Sequence, residues 1–287
     1  MNRSQRREIA NETLGIIDSG RYSSDSGNNV WIKEEIEHCI SETRHYSPAD
    51  FGIVEDECAR QLQKQHFNTS ISVVNSTTFA AARELTLQRS NDDEGLPDAN
   101  VMSLNFASAK NPGGGFLGGS QAQEECLARA SALYGSINPV QAYYQANRRC
   151  GTALYTEHMI YSPSVPVFRD DHDQLLDQPW CTSVITSPAV NRGALKHRSD
   201  ISKVAATMQQ RIANVLAVSV VNKCRSIVLG AWGCGVFRNE PAQMAAWFAE
   251  HLTGKGQFAN AFENVVFAVW DKGDRRRFIG PFEKQFQ

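Results

Sequence analysis

The chain has 287 residues, enough for one large domain or for one domain with a sizeable extension. Its 41% hydrophobic and 21% charged content suits a packed core, and 29 Lys and Arg against 31 Asp and Glu leave a net charge of −2 with no basic stripe for DNA. No uninterrupted apolar run approaches the roughly 18 residues of a membrane span, and Met1-Asn2-Arg3-Ser4-Gln5-Arg6-Arg7 has no apolar segment behind it, so neither a membrane partner nor a secretory signal is expected and the location is expected to be cytoplasmic.

Seven cysteines (Cys39, Cys58, Cys126, Cys150, Cys181, Cys224 and Cys234) are dispersed without a Cys-x-x-Cys pair. This argues against a disulfide framework and against a zinc ribbon, and reads as mostly buried thiols of a reducing compartment. The triplet Arg275-Arg276-Arg277 reads as a solvated surface cluster.

Up to about residue 66 the pattern is helical and polar. A helix over 6–18 places Ile9, Thr13, Ile16 and Ile17 near helical spacing, with Gly20 as its stop. A loop at 23–29 follows, then helices over 32–41 and 50–65, with no strand of any length. Residues 1–66 are therefore expected to form a helical extension and 67–287 the main domain. From residue 70 short apolar strands alternate with helices. Strands are expected at 71–75, 101–106, 183–187, 226–229 and 265–269. Helices are expected at 77–87 with Ser76 as N-cap, at 124–134 ending at Gly135, at 201–221 and at 240–252 with Asn239 as cap. Such alternation implies an α/β sheet covered on both faces, with ligands beyond the carboxyl ends of its strands.

Two loops carry the chemistry. The first, Asn111-Pro112-Gly113-Gly114-Gly115-Phe116-Leu117-Gly118-Gly119-Ser120-Gln121-Ala122-Gln123-Glu124-Glu125, lies between a strand and a helix and has five glycines in seven positions. Backbone without Cβ atoms can approach a ligand closely and converge N–H groups on an anion or on sugar oxygens. It is neither a Walker loop nor a dinucleotide fingerprint. Glu124 and Glu125 open the next helix, where acidic side chains favour the dipole, so a helix-capping role is the plain alternative. Adjacent helix residues point about 100° apart, so one carboxylate can reach a scissile bond while the other holds a neighbouring hydroxyl. A carboxylate in a dry cleft beside a second one has a raised pKa, which suits a general acid. The second loop, Gly230-Ala231-Trp232-Gly233-Cys234-Gly235-Val236-Phe237, also follows a strand and feeds a helix N-terminus, the form of a phosphate site. The Phe237 ring at its end can stack on a ribose or adenine, or else belong to the core.

Gly113-Gly114-Gly115, seven residues, then Gln123-Glu124-Glu125 resembles the signature of poly(ADP-ribose) glycohydrolases. The chain is similar to their bacterial branch nearly end to end. The matching blocks include Glu12-Thr13-Leu14, Gly20-Arg21-Tyr22, Asn75-Ser76-Thr77-Thr78, Ala81-Ala82-Arg83, the stretch from Tyr161 to Arg169, and Ser187-Pro188-Ala189-Val190-Asn191. The resemblance implies a macrodomain-like three-layer α/β/α sandwich with a mixed central sheet, hydrolysis of ribose–ribose bonds in poly(ADP-ribose), and release of ADP-ribose. It implies no cofactor and no metal requirement. It makes Glu125 the acid/base and gives Glu124 the ribose hydroxyls beside the scissile bond. The candidate ligand contacts are Asn111, Gly113, Gly114, Gly115 and Gln123 in the first loop, and Gly233, Cys234, Gly235, Val236 and Phe237 in the second. The expected partners are poly(ADP-ribose) or ADP-ribosylated proteins, acted on by a monomer.

Other functions fit the same fold. A macrodomain can bind ADP-ribose without cutting it, or hydrolyse single ADP-ribose units from protein. The presence of both glutamates favours the enzyme. A metal hydrolase is the weakest alternative: the seven histidines have no His-x-x-x-His spacing, and only Asp170-Asp171-His172-Asp173 offers clustered ligands, in a run that otherwise reads as a solvated loop.

Overall fold

The computed structural model describes residues 1–92 and 101–287. Helix α1 (Arg3–Ser19) opens on a reciprocal cap between Asn2 and Gln5 and ends at Gly20, whose backbone is left-handed at φ 67°. Strands β1 (Arg21–Ser23) and β2 (Asn29–Trp31) form a small antiparallel hairpin, and α2 (Lys33–Ser41), β3 (Arg44–Tyr46) and α3 (Phe51–Lys64) follow. The three strands correct the expectation of none before residue 66. Each has only three residues, too few for alternation to show. Strand β3 nevertheless forms one edge of the main sheet, and α3 packs beside the sheet in its helical layer, so the packing is continuous across residue 66.

The remaining elements are β4 (Ser70–Val74), α4 (Thr78–Asp92), β5 (Val101–Phe106), α5 (Gln123–Ala130), α6 (Leu133–Ile137) and α7 (Gln141–Arg149). Then come β6 (Met159–Arg169), β7 (Leu175–Ser187), α8 (Arg198–Ile201), α9 (Val204–Val221), β8 (Ser226–Leu229), α10 (Pro241–Leu252), β9 (Asn264–Ala268) and α11 (Ile279–Phe286). The sheet order is β3-β6-β7-β5-β8-β9-β4. The run from β7 to β4 is parallel, and β3, β6 and β7 pair antiparallel. Alternate strand residues face opposite layers. Met102, Leu104, Ile227, Leu229, Val265 and Phe267 meet α3, α9, α10 and α11. Val101, Val228 and Val266 meet α4, while Ile160, Val165, Val167 and Val184 meet α5, α6 and α7. This is the expected three-layer sandwich around a mixed sheet.

Four elements depart from the sequence pattern. Strand β6 is unbroken despite Pro163 and Pro166: the register shift between Ser162 and Val165 takes up Pro163, while Pro166 stays in register opposite Cys181. Its partner β7 accordingly starts at Leu175 instead of 183. The helix expected over 124–134 is two helices. Ser131 interrupts it, forming an isolated bridge with Val167, and its hydroxyl donates to the Leu127 carbonyl at 2.7 Å. Gly135 lies inside α6 and is no stop: a Cβ there would sit 2.9 Å from Ile17 Cγ2, so it lets α1 approach. At α4 the cap is Thr77, whose Oγ1 accepts from the Ala80 N–H at 3.2 Å, in place of Ser76.

The stretch Arg198–Val221 has the length and composition of a membrane span, contrary to the expectation from apolar run length. In the fold 61% of its most apolar window is buried, which is the ordinary use of such a helix in a core. Arg211 on α9 is fully buried there. It donates to the Leu154 and Pro188 carbonyls at 3.1 and 3.0 Å and pairs with Glu157 at 2.6 Å, joining three segments. Arg211→Met would leave these acceptors unpaired. The expected loss in urea denaturation is about 3–5 kcal/mol, and a loss below about 1 kcal/mol would show that the joint is not needed.

Candidate active site

Strands β5 and β8 are parallel neighbours, so the loops that leave their carboxyl ends, 107–122 and 230–240, emerge at the same edge of the sheet. In the first loop the Gly114 N–H donates to the Asn111 carbonyl at 3.0 Å, and Gly113 and Gly114 are left-handed at φ 64° and 59°. Phe116 is buried beneath a short 3-10 turn (Phe116–Gly118), and Asn111 is exposed at the loop's entrance.

The first turn of α5 then brings both carboxylates back onto this loop. A Cβ on Gly114 would lie 2.5 Å from Glu125 Oε1 and 3.0 Å from Glu124 Oε2, so no side chain fits there. Glu125 Oε1 accepts the Gly115 N–H at 2.8 Å. Glu124 Oε2 accepts the Ser108 N–H at 2.6 Å, and its Oε1 accepts from Asn105 Nδ2 at 3.3 Å. Burial pushes the Glu124 carboxyl up from the ordinary 4.5 to about 8, against the lowering effect of the Ser108 and Asn105 hydrogen bonds and with a smaller push from the charge of Glu125. Glu124 is thus protonated at neutral pH.

Gln123, expected at the ligand, acts as a bolt. Its Nε2 donates to the Leu104 carbonyl and to Thr78 Oγ1 at 2.7 and 3.0 Å, and its Oε1 accepts the Phe106 N–H at 2.8 Å. Two N–H groups on two protein acceptors exhaust its donors.

In the second loop Gly233 is left-handed at φ 71°, and a Cβ on it would come 2.5 Å from Ala189 Cβ. Asn239 does not cap α10, where Glu240 is the N-cap without a side-chain bond. Its Nδ2 instead donates to the Val190 carbonyl at 2.8 Å and pins the loop to the end of β7. Cys234 is buried, and burial pushes its thiol up to about 12. Gly235 and Val236 are exposed, and the N–H groups of Gly235, Val236 and Phe237 have no partner among the described residues. The Phe237 ring is half-buried with its centroid 6.1 Å from that of Tyr155, which itself holds a left-handed backbone at φ 61°.

Several site residues are not among the sequence candidates. Asn105 holds Glu124 and Thr186, and Tyr143 and Tyr144 on α7 stand near Glu124, their hydroxyls raised far above the usual range mainly by burial. Asn105 was legible as a polar residue within an apolar strand. The tyrosines were not, because α7 has no clear pattern in a polar stretch. The acidic run is a turn between β6 and β7. Asp170 Oδ1 accepts the His172 and Gln174 N–H groups at 2.8 and 2.9 Å, Asp171 accepts the Thr77 hydroxyl, and Asp173 pairs with Arg129 at 3.3 Å. Among the described residues no three His, Cys, Asp or Glu side chains are grouped to hold a metal.

The family model described as microbial-type PARG, catalytic domain, matches residues 10–170. The chain belongs to the microbial-type poly(ADP-ribose) glycohydrolase family. Among solved structures, the poly(ADP-ribose) glycohydrolase of Thermomonospora curvata bound to the inhibitor ADP-HPD is 43% identical, over 99% of this chain and 100% of that one, with a TM-score of 0.87. The poly(ADP-ribose) glycohydrolase of Deinococcus radiodurans in complex with ADP-ribose is 42% identical, over 90% of this chain and 99% of that one, with a TM-score of 0.79. No curated protein matches the chain.

Two outcomes follow for this glycohydrolase. Gly114→Ala places a methyl against both carboxylates at a positive φ; turnover should fall by about 10²-fold or more, since displacements near 1 Å cost that much, while thermal melting shows the fold intact. The second concerns pH. Glu124 has a folded pKa above its unfolded value, so below about pH 4.5 it is protonated in both states and carries no penalty. As pH rises from there towards about 8 only the unfolded chain ionises, and folding weakens until the folded carboxyl also titrates. Denaturant midpoints of Glu124→Gln relative to the unsubstituted protein should therefore rise across that window and level off above it. A flat difference would mean that the carboxyl is not raised.

Proposed function

We propose that the chain hydrolyses ribose–ribose O-glycosidic bonds in poly(ADP-ribose), with Glu125 as proton donor and acceptor. The observation that carries this reading is the convergence of Glu124 and Glu125 on the side-chain-free backbone at Gly114. A glycine there lets the loop backbone seat both carboxyls side by side, which a Cβ would prevent, so that one can hold a ribose while the other reaches the bond.

In the first half of the reaction the Glu125 carboxyl gives its proton to the departing ribose oxygen as the C–O bond breaks. The electron pair leaves with that oxygen, and the anomeric carbon passes through an oxocarbenium-like state. In the second half the Glu125 carboxylate takes a proton from the water that attacks this carbon, which restores the starting carboxyl and frees ADP-ribose. Glu124, held by Ser108 and Asn105 and carrying its own proton, can both donate and accept a hydrogen bond with ribose hydroxyls. The free N–H groups of Gly235, Val236 and Phe237 suit the diphosphate, and the Phe237 ring beside Tyr155 suits a sugar or base face. Seven free thiols support the reducing, cytoplasmic setting proposed for this reaction.

The test is incubation with purified poly(ADP-ribose) and separation of products. Free ADP-ribose should accumulate, and Glu125→Gln should lower turnover by about 10²–10⁴-fold or more while ADP-ribose still binds. Glu124→Gln should cost less, because an amide still bonds hydroxyls. Near-normal turnover by Glu125→Gln would sink the mechanism, greater damage from Glu124→Gln would reverse the two roles, and release of single units from protein with polymer intact would change the substrate.

A further inference from the structure

We infer that α1 is a working part of the active site, with Arg6, assisted by Arg3, as a positioning residue that holds the 113–120 loop against Glu125. The inference rests on Glu125 being the acid/base.

A loop with five glycines in seven positions has few side chains by which the fold can hold it. Its backbone loses more freedom on ordering than any other composition, so its fixed points must be backbone groups. The outer fixed points come from α1. Arg6 Nε donates to the Gly119 carbonyl at 2.8 Å, and Arg3 Nε donates to the Gly118 carbonyl at 2.8 Å. These carbonyls close the 3-10 turn (Phe116–Gly118), where cationic donors are favoured. Arg6 is itself tethered, since its Nη1 donates to the Met1 carbonyl at 2.9 Å. Backbone meets backbone here as well: a Cβ on Gly119 would lie 2.2 Å from the Arg3 carbonyl oxygen.

The same helix grips the catalytic helix further along. Ala10 packs with Phe116 and Ala128, and the Thr13 hydroxyl donates to the Arg129 carbonyl at 2.8 Å near the end of α5. Arg129 Nη1 in turn donates to the Ser120 carbonyl at 3.1 Å. Inside the loop, the Ser120 N–H donates to the Gly115 carbonyl at 3.1 Å, and the Gly115 N–H donates to Glu125 Oε1 at 2.8 Å. The path from Arg6 to the reacting carboxyl therefore runs through Gly119, Ser120 and Gly115. The Glu12-Thr13-Leu14 block gains a reason from this: Thr13 ties α1 to α5, and Glu12 pairs with buried Arg169 at 2.6 Å. Arg3 and Arg6 lie before the segment that the family model matches, which begins at residue 10.

A helix that only covered apolar surface would need Ala10 and Ile16, but not two guanidinium groups aimed at the carbonyls of the glycine turn. The two roles separate in kinetics. Arg6→Ala, Arg6→Lys and the control Arg7→Ala, exposed on the same helix, are compared in the full chain with poly(ADP-ribose) as substrate. For Arg6→Ala, kcat should fall by about 10- to 100-fold, with ADP-ribose affinity and melting temperature at the level of the unsubstituted protein. Arg6→Lys should recover most of the loss, because an ammonium can donate to the same carbonyl, and Arg7→Ala should change nothing. Unchanged kcat in Arg6→Ala, or a loss matched by equal losses of affinity and stability that Lys does not restore, would overturn the inference. If Glu125→Gln is itself active, the mechanism has failed and not the role of α1 alone.

Discussion

The closest approach in the active site is between backbone and charge. At Gly114 the chain turns left-handed and leaves no side chain between itself and the carboxylates of Glu124 and Glu125. Two acids on one helical turn repel each other, and burial raises the cost of ionising Glu124. The site meets that cost with N–H groups: Ser108 and Asn105 on Glu124, Gly115 on Glu125, and the N-terminal end of the α5 dipole behind both. What is left over appears as the proton kept by Glu124.

Holding that approach is the work of segments distant in sequence. The bolt formed by Gln123 fastens the start of α5 to β5 and α4. Three nearly buried arginines, Arg129 on α5, Arg169 at the end of β6 and Arg211 on α9, each tie their own element to segments distant in sequence. Each has an acidic partner and at least one backbone carbonyl. A buried ion pair is a weak source of net stability, but the planar fork of a guanidinium fixes several acceptors in one geometry. For Arg129 that geometry helps to place the glycine-rich loop through the Ser120 carbonyl.

The surroundings of Glu124 also keep polar atoms without partners among the described residues. Asn105 Oδ1 and the Tyr144 hydroxyl are buried and unbonded, and both residues are near Glu124. Unsatisfied groups of this kind cost about 1–3 kcal/mol each. The left-handed backbone at Tyr155, beside Phe237 of the second loop, is a similar expense.

The glycine spacing before Gln123-Glu124-Glu125, the second glycine loop and the strand–helix alternation were all legible in the sequence, because each is a local pattern. Glycine runs, first-turn acids and period-two strands depend on neighbours a few residues away. What depended on distant partners was not legible. Strand β3 is too short to alternate and exists because β6 pairs with it; β6 continues past Pro163 because a register shift takes it up. That Gln123 also bolts α5 in place was not legible, since its partners Leu104 and Thr78 are brought to it only by the sheet and α4. Asn239 looked like a helix cap and is a loop pin for the same reason. The sequence by itself determined where the two glycine-rich loops and the paired glutamates lie in the chain, and that both loops would follow strands of one sheet. The tertiary structure alone decided how deeply the Glu124 carboxyl is buried, and that a helix at the N-terminus holds the loop, because desolvation and long-range hydrogen bonds are set by packing and leave no periodic trace in the chain.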